Sequence, residues 1–392
     1  MTIPQEGSKF NQRKQVALII ETSNEYARGI LRGVRKYIRE NSNWSIFIEE
    51  YSRDNTSDFT WLKQWDGDGI LARIENKRIA KSVNNTGLPI VDLSAFRLLP
   101  KIPFVETDDY SIVKLASEHF LERGFRNFAF IGNSRFNWSK NRHHHFCNFT
   151  KEFGFPFFDY DLFLSQHDSR IDERDELVKW LLSLPRPIAI MAAYDNIGLQ
   201  ILEACRFAKI AVPEEVAVIG VDNDTLITEL SDPPLSSITP NTIKTGYNAA
   251  LILEQLMNGT EIKQIENLIE PVGIATRQSS DVLAIDDPLV AKALHYIRDN
   301  AFNNIKVNDL LKVTPLSRRA LEHRFIKYIG RTPHEEITVI KIKKVKELLL
   351  ETDLTIANIG EIANFSNTEY LSVLFKKETG LTPSEYRKKN KT

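Results

Sequence analysis

Cysteine is nearly missing from this chain: Cys147 and Cys205 are the two in 392 residues. Two thiols build neither a disulfide framework nor a zinc site alone, so both are expected to be buried and reduced. Long apolar runs are missing as well. No span of about 18 apolar residues occurs. The first apolar run, "VALII" at 16–20, stops at Glu21 and is too short for the apolar region of a secretory signal. A cytoplasmic chain without membrane association is expected. G-x-S-x-G, a Walker loop and G-x-G-x-x-G are also lacking, so nothing argues for hydrolase, nucleotide or dehydrogenase chemistry. No catalytic residue, cofactor or metal is expected. "RHHHF" at 142–146 tempts a metal reading, but successive helical residues point about 100° apart and no second ligand spacing accompanies them.

Net charge of one sign is scarce too, at −1 overall, but it is unevenly spread. From Asp286 onward there are 19 Lys and Arg against 14 Asp and Glu, a net of +5, which leaves the rest at −6. A mildly basic end beside an acidic body suits a domain that touches phosphates. The length calls for two or three domains.

From Val16 to about Gly273, short apolar strands alternate with amphipathic helices. "VALII" precedes a helical stretch with Ile30, Val34, Tyr37 and Ile38 on one face; "WSIFIEE", "GDGILARI" and "LPIVDLS" follow, then "FAFIG", "PIAIMAA" and "VAVIGVD". Continuous apolar strands separated by helices predict parallel sheets covered on both faces, with ligands beyond the carboxyl ends of the strands. The phrases "RGFRNFAFIG", "VPEEVAVIGVDN" and "PPLSSI" resemble the periplasmic-binding-protein-like effector domain of LacI-type repressors over about 250 residues. That resemblance implies two α/β lobes closing on a small sugar or purine, with Asp108, Arg142, Asp195 and Asp222 as cleft contacts. Carboxylates and a guanidinium suit the paired hydroxyls of a sugar; the competing reading is that Asp195 and Asp222 cap the helices after them. Tyr26, Phe136 and Trp138 are candidates to stack on a pyranose face. The first strand begins too early for the DNA-binding headpiece usual in that family.

The C-terminal part repeats itself. In "TPLSRRALEHRFIKYIGRTP" and "NFSNTEYLSVLFKKETGLTP", Leu321, Phe325, Lys327, Gly330, Thr332 and Pro333 recur fifty residues later as Leu371, Phe375, Lys377, Gly380, Thr382 and Pro383. Two copies are too few for a solenoid. Each reads as helix, tight turn, helix, with Ser317 and Ser366 as caps and a polar stripe facing out. A helix of about 20 residues between the copies spaces them about 30 Å apart, near one turn of DNA. From about Pro288 to Arg387 the sequence resembles the tandem helix-turn-helix domain of AraC-type regulators, with Pro315 and Asn364 in place of the usual turn glycines and Gly360 where alanine is common. The resemblance implies base readers at Arg319, Glu322 and His323 in the first module, with Arg318 beside them, and at Thr368, Glu369 and Ser372 in the second. Lys327, Lys376 and Lys377 would hold phosphates.

The fold expected is therefore an α/β two-lobed periplasmic-binding-protein-like domain plus an all-α tandem helix-turn-helix domain. The boundaries are a tail at 1–13, the effector domain at 14–276, a linker at 277–287 and the DNA-binding domain at 288–390. This order resembles that of the xylose-operon regulators. It implies a sugar-responsive activator that binds double-stranded DNA as a homodimer, with D-xylose or a related aldose as effector and RNA polymerase as a further partner. The rival readings are a sugar-binding or sugar-modifying protein whose tail binds a protein partner, and a solute-binding transport protein.

Overall fold

The computed structural model describes residues 13–48, 59–164, 170–282, 284–285, 287–365 and 367–390. The expected N-terminal tail, Glu49 and Glu50 of "WSIFIEE", and the expected cap Ser366 lie outside the described residues, apart from Arg13 of the tail.

The first lobe is built from β1 (Gln15–Ile19), α1 (Glu25–Asn41), β2 (Ser45–Ile48), β3 (Gly69–Ala72), α2 (Lys77–Asn84), β4 (Ile90–Asp92) and β5 (Phe104–Thr107). The chain then enters the second lobe through α3 (Asp109–Glu122), β6 (Phe128–Gly132), α4 (Asn137–Glu152), β7 (Phe157–Asp161), α5 (Arg170–Ser183), β8 (Ile188–Ala192), α6 (Asp195–Ala208), β9 (Val216–Val221), α7 (Thr225–Leu230) and β10 (Ser236–Thr239). It returns to the first lobe as α8 (Thr242–Met257) and β11 (Glu266–Ile269), and goes back to the second as β12 (Gly273–Ala275). Three crossings thus join the lobes, between β5 and α3, between β10 and α8, and between β11 and β12. The first sheet is ordered β11-β5-β4-β3-β1-β2 with every pair parallel. The second is ordered β12-β10-β9-β8-β6-β7 and is parallel except at its β12 edge.

The apolar runs are the strands because both faces of each sheet are covered. Ile188 to Ala192 of β8 are completely buried, and so are Val216 to Ile219 of β9. Helices α1 and α8 touch backbone to backbone. A Cβ at Gly33 would lie 2.1 Å from the Ile243 carbonyl oxygen, and one at Gly246 would lie 2.0 Å from that of Ile30. The crossing helix is locked to the first lobe by that contact.

Beyond the lobes come α9 (Pro288–Asn300), α10 (Val307–Val313), α11 (Arg318–Ile329), α12 (Pro333–Glu351), α13 (Ile356–Ile362), α14 (Thr368–Thr379) and α15 (Pro383–Asn390). Two small cores hold them. Leu294, Leu310, Leu321 and Phe325 gather around one, and Val345, Ile359, Leu371 and Phe375 around the other. Helix α12 belongs to both, giving Ile337 and Ile340 to the first and Ile342 and Leu349 to the second. Its 19 residues span about 28 Å.

The segment expected as a linker is stitched onto the second lobe at Arg277, Ser279 and Ala284. Gln278–Ser280 forms a 3-10 turn. Ser279 Oγ donates to the Val218 carbonyl at 2.7 Å and accepts the Ser236 N–H at 2.8 Å. The Arg277 N–H donates to Ser236 Oγ at 2.8 Å, and the Ala284 N–H to the Arg123 carbonyl at 2.7 Å. A string of serines and aspartates looks like a tether in sequence, but here its polar groups continue the edge of the lobe.

Candidate ligand cleft and nucleic-acid interface

Between the lobes lies a cavity of about 260 Å³. The second lobe supplies Arg142, Asp195 and Asp222, three of the four residues expected from sequence, together with Phe136 and Trp138. Arg142, from α4, is buried. Its Nε donates to Asp109 Oδ1 at 2.9 Å and its Nη1 to the Ala193 carbonyl at 2.6 Å, with the guanidinium 5.1 Å from the centre of the Trp138 ring. Burial alone would lower its pKa, but the Asp109 and Asp222 charges outweigh burial and hold it above the ordinary arginine value. Phe136 and Trp138, both on the cavity's lining, stack on each other with centres 5.1 Å apart and planes 13° apart.

Asp195 does not cap its own helix. Its Oδ1 accepts from Ser237 Oγ at 2.6 Å and its Oδ2 from the Asp224 N–H at 2.8 Å; burial, then the Asp222 charge, push its carboxyl well above the usual range. Asp222 lies in the left-handed region at φ 109°, followed by Asn223 at φ 49°. Two non-glycine residues in succession with positive φ mark strain at the mouth of β9, on the cavity wall. The helix after them, α7, is capped by Asp224, which accepts from the Leu226 N–H.

Asp108 requires a correction. It does not line the cavity: it caps α3, accepting from the Tyr110 N–H at 3.0 Å and the Ser111 hydroxyl at 2.6 Å. Its neighbour Asp109 is the carboxylate that meets Arg142. A cap must turn its side chain back toward the helix's first N–H groups, whereas the next residue points about 100° around the axis and reaches α4.

The first lobe supplies Tyr26, as expected, and two residues that sequence reasoning missed, Arg73 and Glu106. Tyr26 donates to Glu106 Oε1 at 2.7 Å and lies 2.9 Å from Thr107 Oγ1. The Arg73 guanidinium stacks 5.2 Å from the Tyr26 ring centre and donates to Glu21 at 2.6 Å and Glu75 at 2.8 Å. Glu106 Oε2 is buried with no hydrogen-bond partner, and burial pushes the carboxyl up to about 7 despite the opposing Arg73 charge. The available signal was a charged residue within or just after an otherwise apolar strand, in "FVET" and "ILAR".

The three histidines have different neighbours, although the His144 and His145 rings lie 5.7 Å apart; among the described residues no group of three or more His, Cys, Asp or Glu side chains is placed to hold a metal ion. His143 packs on Phe130 and Phe157, His144 meets Asn148, and His145 lies against Tyr110. Cys205 is buried and its thiol is pushed up to about 12 by burial; Cys147, on α4, is half-buried, and both are free.

In the helical domain the ends of the second helices repeat closely. Gly330 and Gly380 end α11 and α14, both at φ 79°, a conformation that glycine takes without strain. Thr332 and Thr382 then open α12 and α15, each with its N–H donating to a Glu side chain three residues on, Glu335 and Glu385, at 2.8 Å. Ser317 caps α11 as expected, but α14 is capped by Asn367, which accepts the Tyr370 N–H at 2.7 Å. The two turns differ. Thr314 is extended at φ −124° ahead of Pro315, whereas Asn364 takes φ 54°.

Arg319, His323, Lys327, Glu369, Lys376 and Lys377 are all exposed; Thr368 and Ser372 are half-buried. Arg318 donates to Glu322 at 2.9 Å, so that pair partly satisfies itself on the surface. Two exposed apolar side chains on α14, Tyr370 and Val373, were not anticipated.

A second-lobe hub faces this domain. Asp281 lies 3.7 Å from Arg123 at the end of α3 and pairs with Lys343 on α12, and Arg298 on α9 pairs with Glu214 and donates to the Asp281 carbonyl at 3.2 Å.

A two-lobed cleft in front of paired helix-turn-helix modules defines a ligand-responsive DNA-binding transcriptional regulator. Family models agree: an XylR N-terminal domain matches residues 15–110, a periplasmic binding protein-like domain 117–280, and a helix-turn-helix domain 310–389. The chain is 34% identical to the xylose operon regulatory protein of Haemophilus influenzae over 96% of its own length and 98% of that protein's. It is 33% identical to the Escherichia coli protein of the same name over 97% and 98%. The solved structure of the xylose-binding transcription activator XylR superposes with a TM-score of 0.85 at 32% identity, covering 98% of this chain and all of that one. The chain belongs to the xylose operon regulatory protein family. A CelR–cellobiose complex shares only the lobes' fold, with a TM-score of 0.57 over 68% of this chain.

Proposed function

We propose that the cleft binds D-xylose or a closely related aldose, and that this binding alters how the two helix-turn-helix modules engage an operator, with activation of transcription as the output. The observation that carries it is the cavity's makeup. A paired guanidinium and a set of carboxylates stand beside a stacked pair of aromatic rings, a combination suited to vicinal hydroxyls and the apolar part of a sugar. Arg319 and Glu322 would read base edges, with His323, Thr368, Glu369 and Ser372; Lys327, Lys376 and Lys377 would hold phosphates. The reading keeps an effector domain to 276, a linker to 287 and a DNA-binding domain to 390; the hydrogen bonds of Arg277, Ser279 and Ala284 to the second lobe favour a docked linker rather than a free tether. A homodimer in the cytoplasm, placed next to RNA polymerase, completes the reading. Among the described residues no helix is long and apolar enough to cross a membrane.

Isothermal calorimetry of the full chain with D-xylose, L-arabinose, D-ribose and D-glucose tests the first half. Heat with one aldose, abolished in Arg142→Ala, is the expected result, and silence with all four sinks the sugar reading. Band shift on the chain's own promoter region, with and without the bound sugar, tests the second half.

A further inference from the structure

Equivalent positions on α11 and α14 lie fifty residues apart, so their outward faces compare place by place. Arg319, His323 and Lys327, each four residues from the next, form one line along α11; Glu369, Val373 and Lys377 form the same line along α14. All six are exposed, while Leu321 and Phe325, and Leu371 and Phe375, point into the two cores from the opposite side. The line is therefore the face each second helix offers to a groove. Its last member is lysine in both modules, a sequence-blind phosphate contact. The first two members differ in kind: α11 offers two nitrogen donors, α14 an acceptor and a bare aliphatic group. Val373 is 70% exposed and packs in neither core, and Tyr370, 54% exposed, stands three residues before it on the same side.

We propose that the two modules read bases of opposite chemical class: α11 reads guanine through Arg319 and His323, and α14 reads a pyrimidine-bearing edge, with Val373 against the C5-methyl of a thymine and Glu369 accepting from the amino group of a cytosine. The proposal rests on the DNA-binding reading above. It follows from the major-groove code, in which O6 and N7 of guanine accept, N4 of cytosine donates and the thymine methyl takes apolar contact. The modules are copies in fold but not in specificity. The stretch of operator that one chain covers is accordingly a pair of unlike halves, read in one orientation.

The test uses the full-length chain and a library of 30-base-pair duplexes with a randomised centre. Enriched duplexes are expected to hold a guanine-containing half that loses its preference in Arg319→Ala and a separate half that does not. Within that second half, replacing one thymine by deoxyuridine removes only the methyl. It should weaken wild-type binding about fourfold, the worth of one buried methyl group, and should leave Val373→Ala indifferent. Val373→Ala melts like the wild type because its side chain is outside the core. In a further variant, Glu369→Arg with Val373→His, guanine should replace cytosine and thymine on the strand the wild type reads, with the first half fixing the orientation. A deoxyuridine scan that is flat across the second half, or a double variant that keeps cytosine and thymine on that strand, overturns the proposal while leaving DNA binding intact. If no sequence is enriched at all, the regulator reading falls and this one with it.

Discussion

Asp108 and Asp109 stand side by side in "TDDYS" and have separate work. Asp109 holds a buried guanidinium, so Asp109→Ala strands the Arg142 charge and should cost about 3–5 kcal/mol of stability. Asp108→Ala removes a helix cap and should cost about 0.5–2 kcal/mol, leaving sugar affinity within twofold. Paired melts and calorimetry check both; equal losses in the two variants refute the assignment. Glu106 gives a pH signature. Its folded pKa of about 7 lies above the ordinary 4.5, so the folded state holds the extra proton between those values. The stability tied to it is full below about 4.5 and is lost as pH rises to about 7. Replacing the carboxyl by the neutral amide in Glu106→Gln should flatten that part of the melting-temperature profile, and an unchanged slope counts against it. At this scale the sequence was only half readable. Asp195 and Asp222 were visible just beyond strand ends, whereas Arg142, inside α4, came only from the resemblance. Which of two adjacent aspartates caps and which reaches across depends on 100° of helix rotation, and no pattern in the letters shows it. Arg73 and Glu106 were hidden because strand alternation alone does not say which face meets the second lobe.

At the scale of elements the letters were far more telling, since periodicity and caps are local. The recurring Gly-x-Thr-Pro is punctuation in the structure, a left-handed stop and a capped restart. What differs between the copies lies on the outward lines. Gly360 in α13 has room for more: an added Cβ would meet only Leu371 Cδ2, at 3.6 Å, an ordinary contact. Gly360→Ala should therefore stabilise the domain by about 0.5–1 kcal/mol through the backbone alone, read as a raised midpoint in urea. Gly33→Ala is the opposite case. Its Cβ would collide with the Ile243 carbonyl oxygen of α8, and a loss of about 1–3 kcal/mol or more is expected. A neutral result there would mean the two helices are not in backbone contact.

For the whole molecule, the docked linker changes how the halves communicate. α3 starts at Asp109, which holds Arg142 in the cleft, and ends beside Arg123, which faces Asp281; Asp281 in turn pairs with Lys343 on the helix shared by both DNA-binding cores. The path runs through rigid, packed elements. If lobe closure is transmitted here, Asp281→Ala should keep sugar affinity and operator affinity close to wild type when each is measured alone. It should shrink the change that sugar makes to operator affinity, a coupling of about 1–3 kcal/mol in such systems. Fluorescence anisotropy with and without saturating D-xylose measures it, and full coupling in the variant would place transmission elsewhere. None of this was legible beforehand, because the polar letters of 277–287 are the same whether they meet water or the Ser236 and Val218 backbone.

The helix α12 carries both cores along one unbroken axis, and its residue count therefore acts as a phase gauge. Adding one residue would advance the second module about 1.5 Å and turn it about 100°, whereas one base pair turns the groove about 34–36°. Three added base pairs would match the rotation but overshoot the advance several-fold. No single-residue change in α12 can thus be answered by sliding the operator's halves apart. Chain and site are commensurate at one length, so this helix should drift in its letters far more freely than in their number.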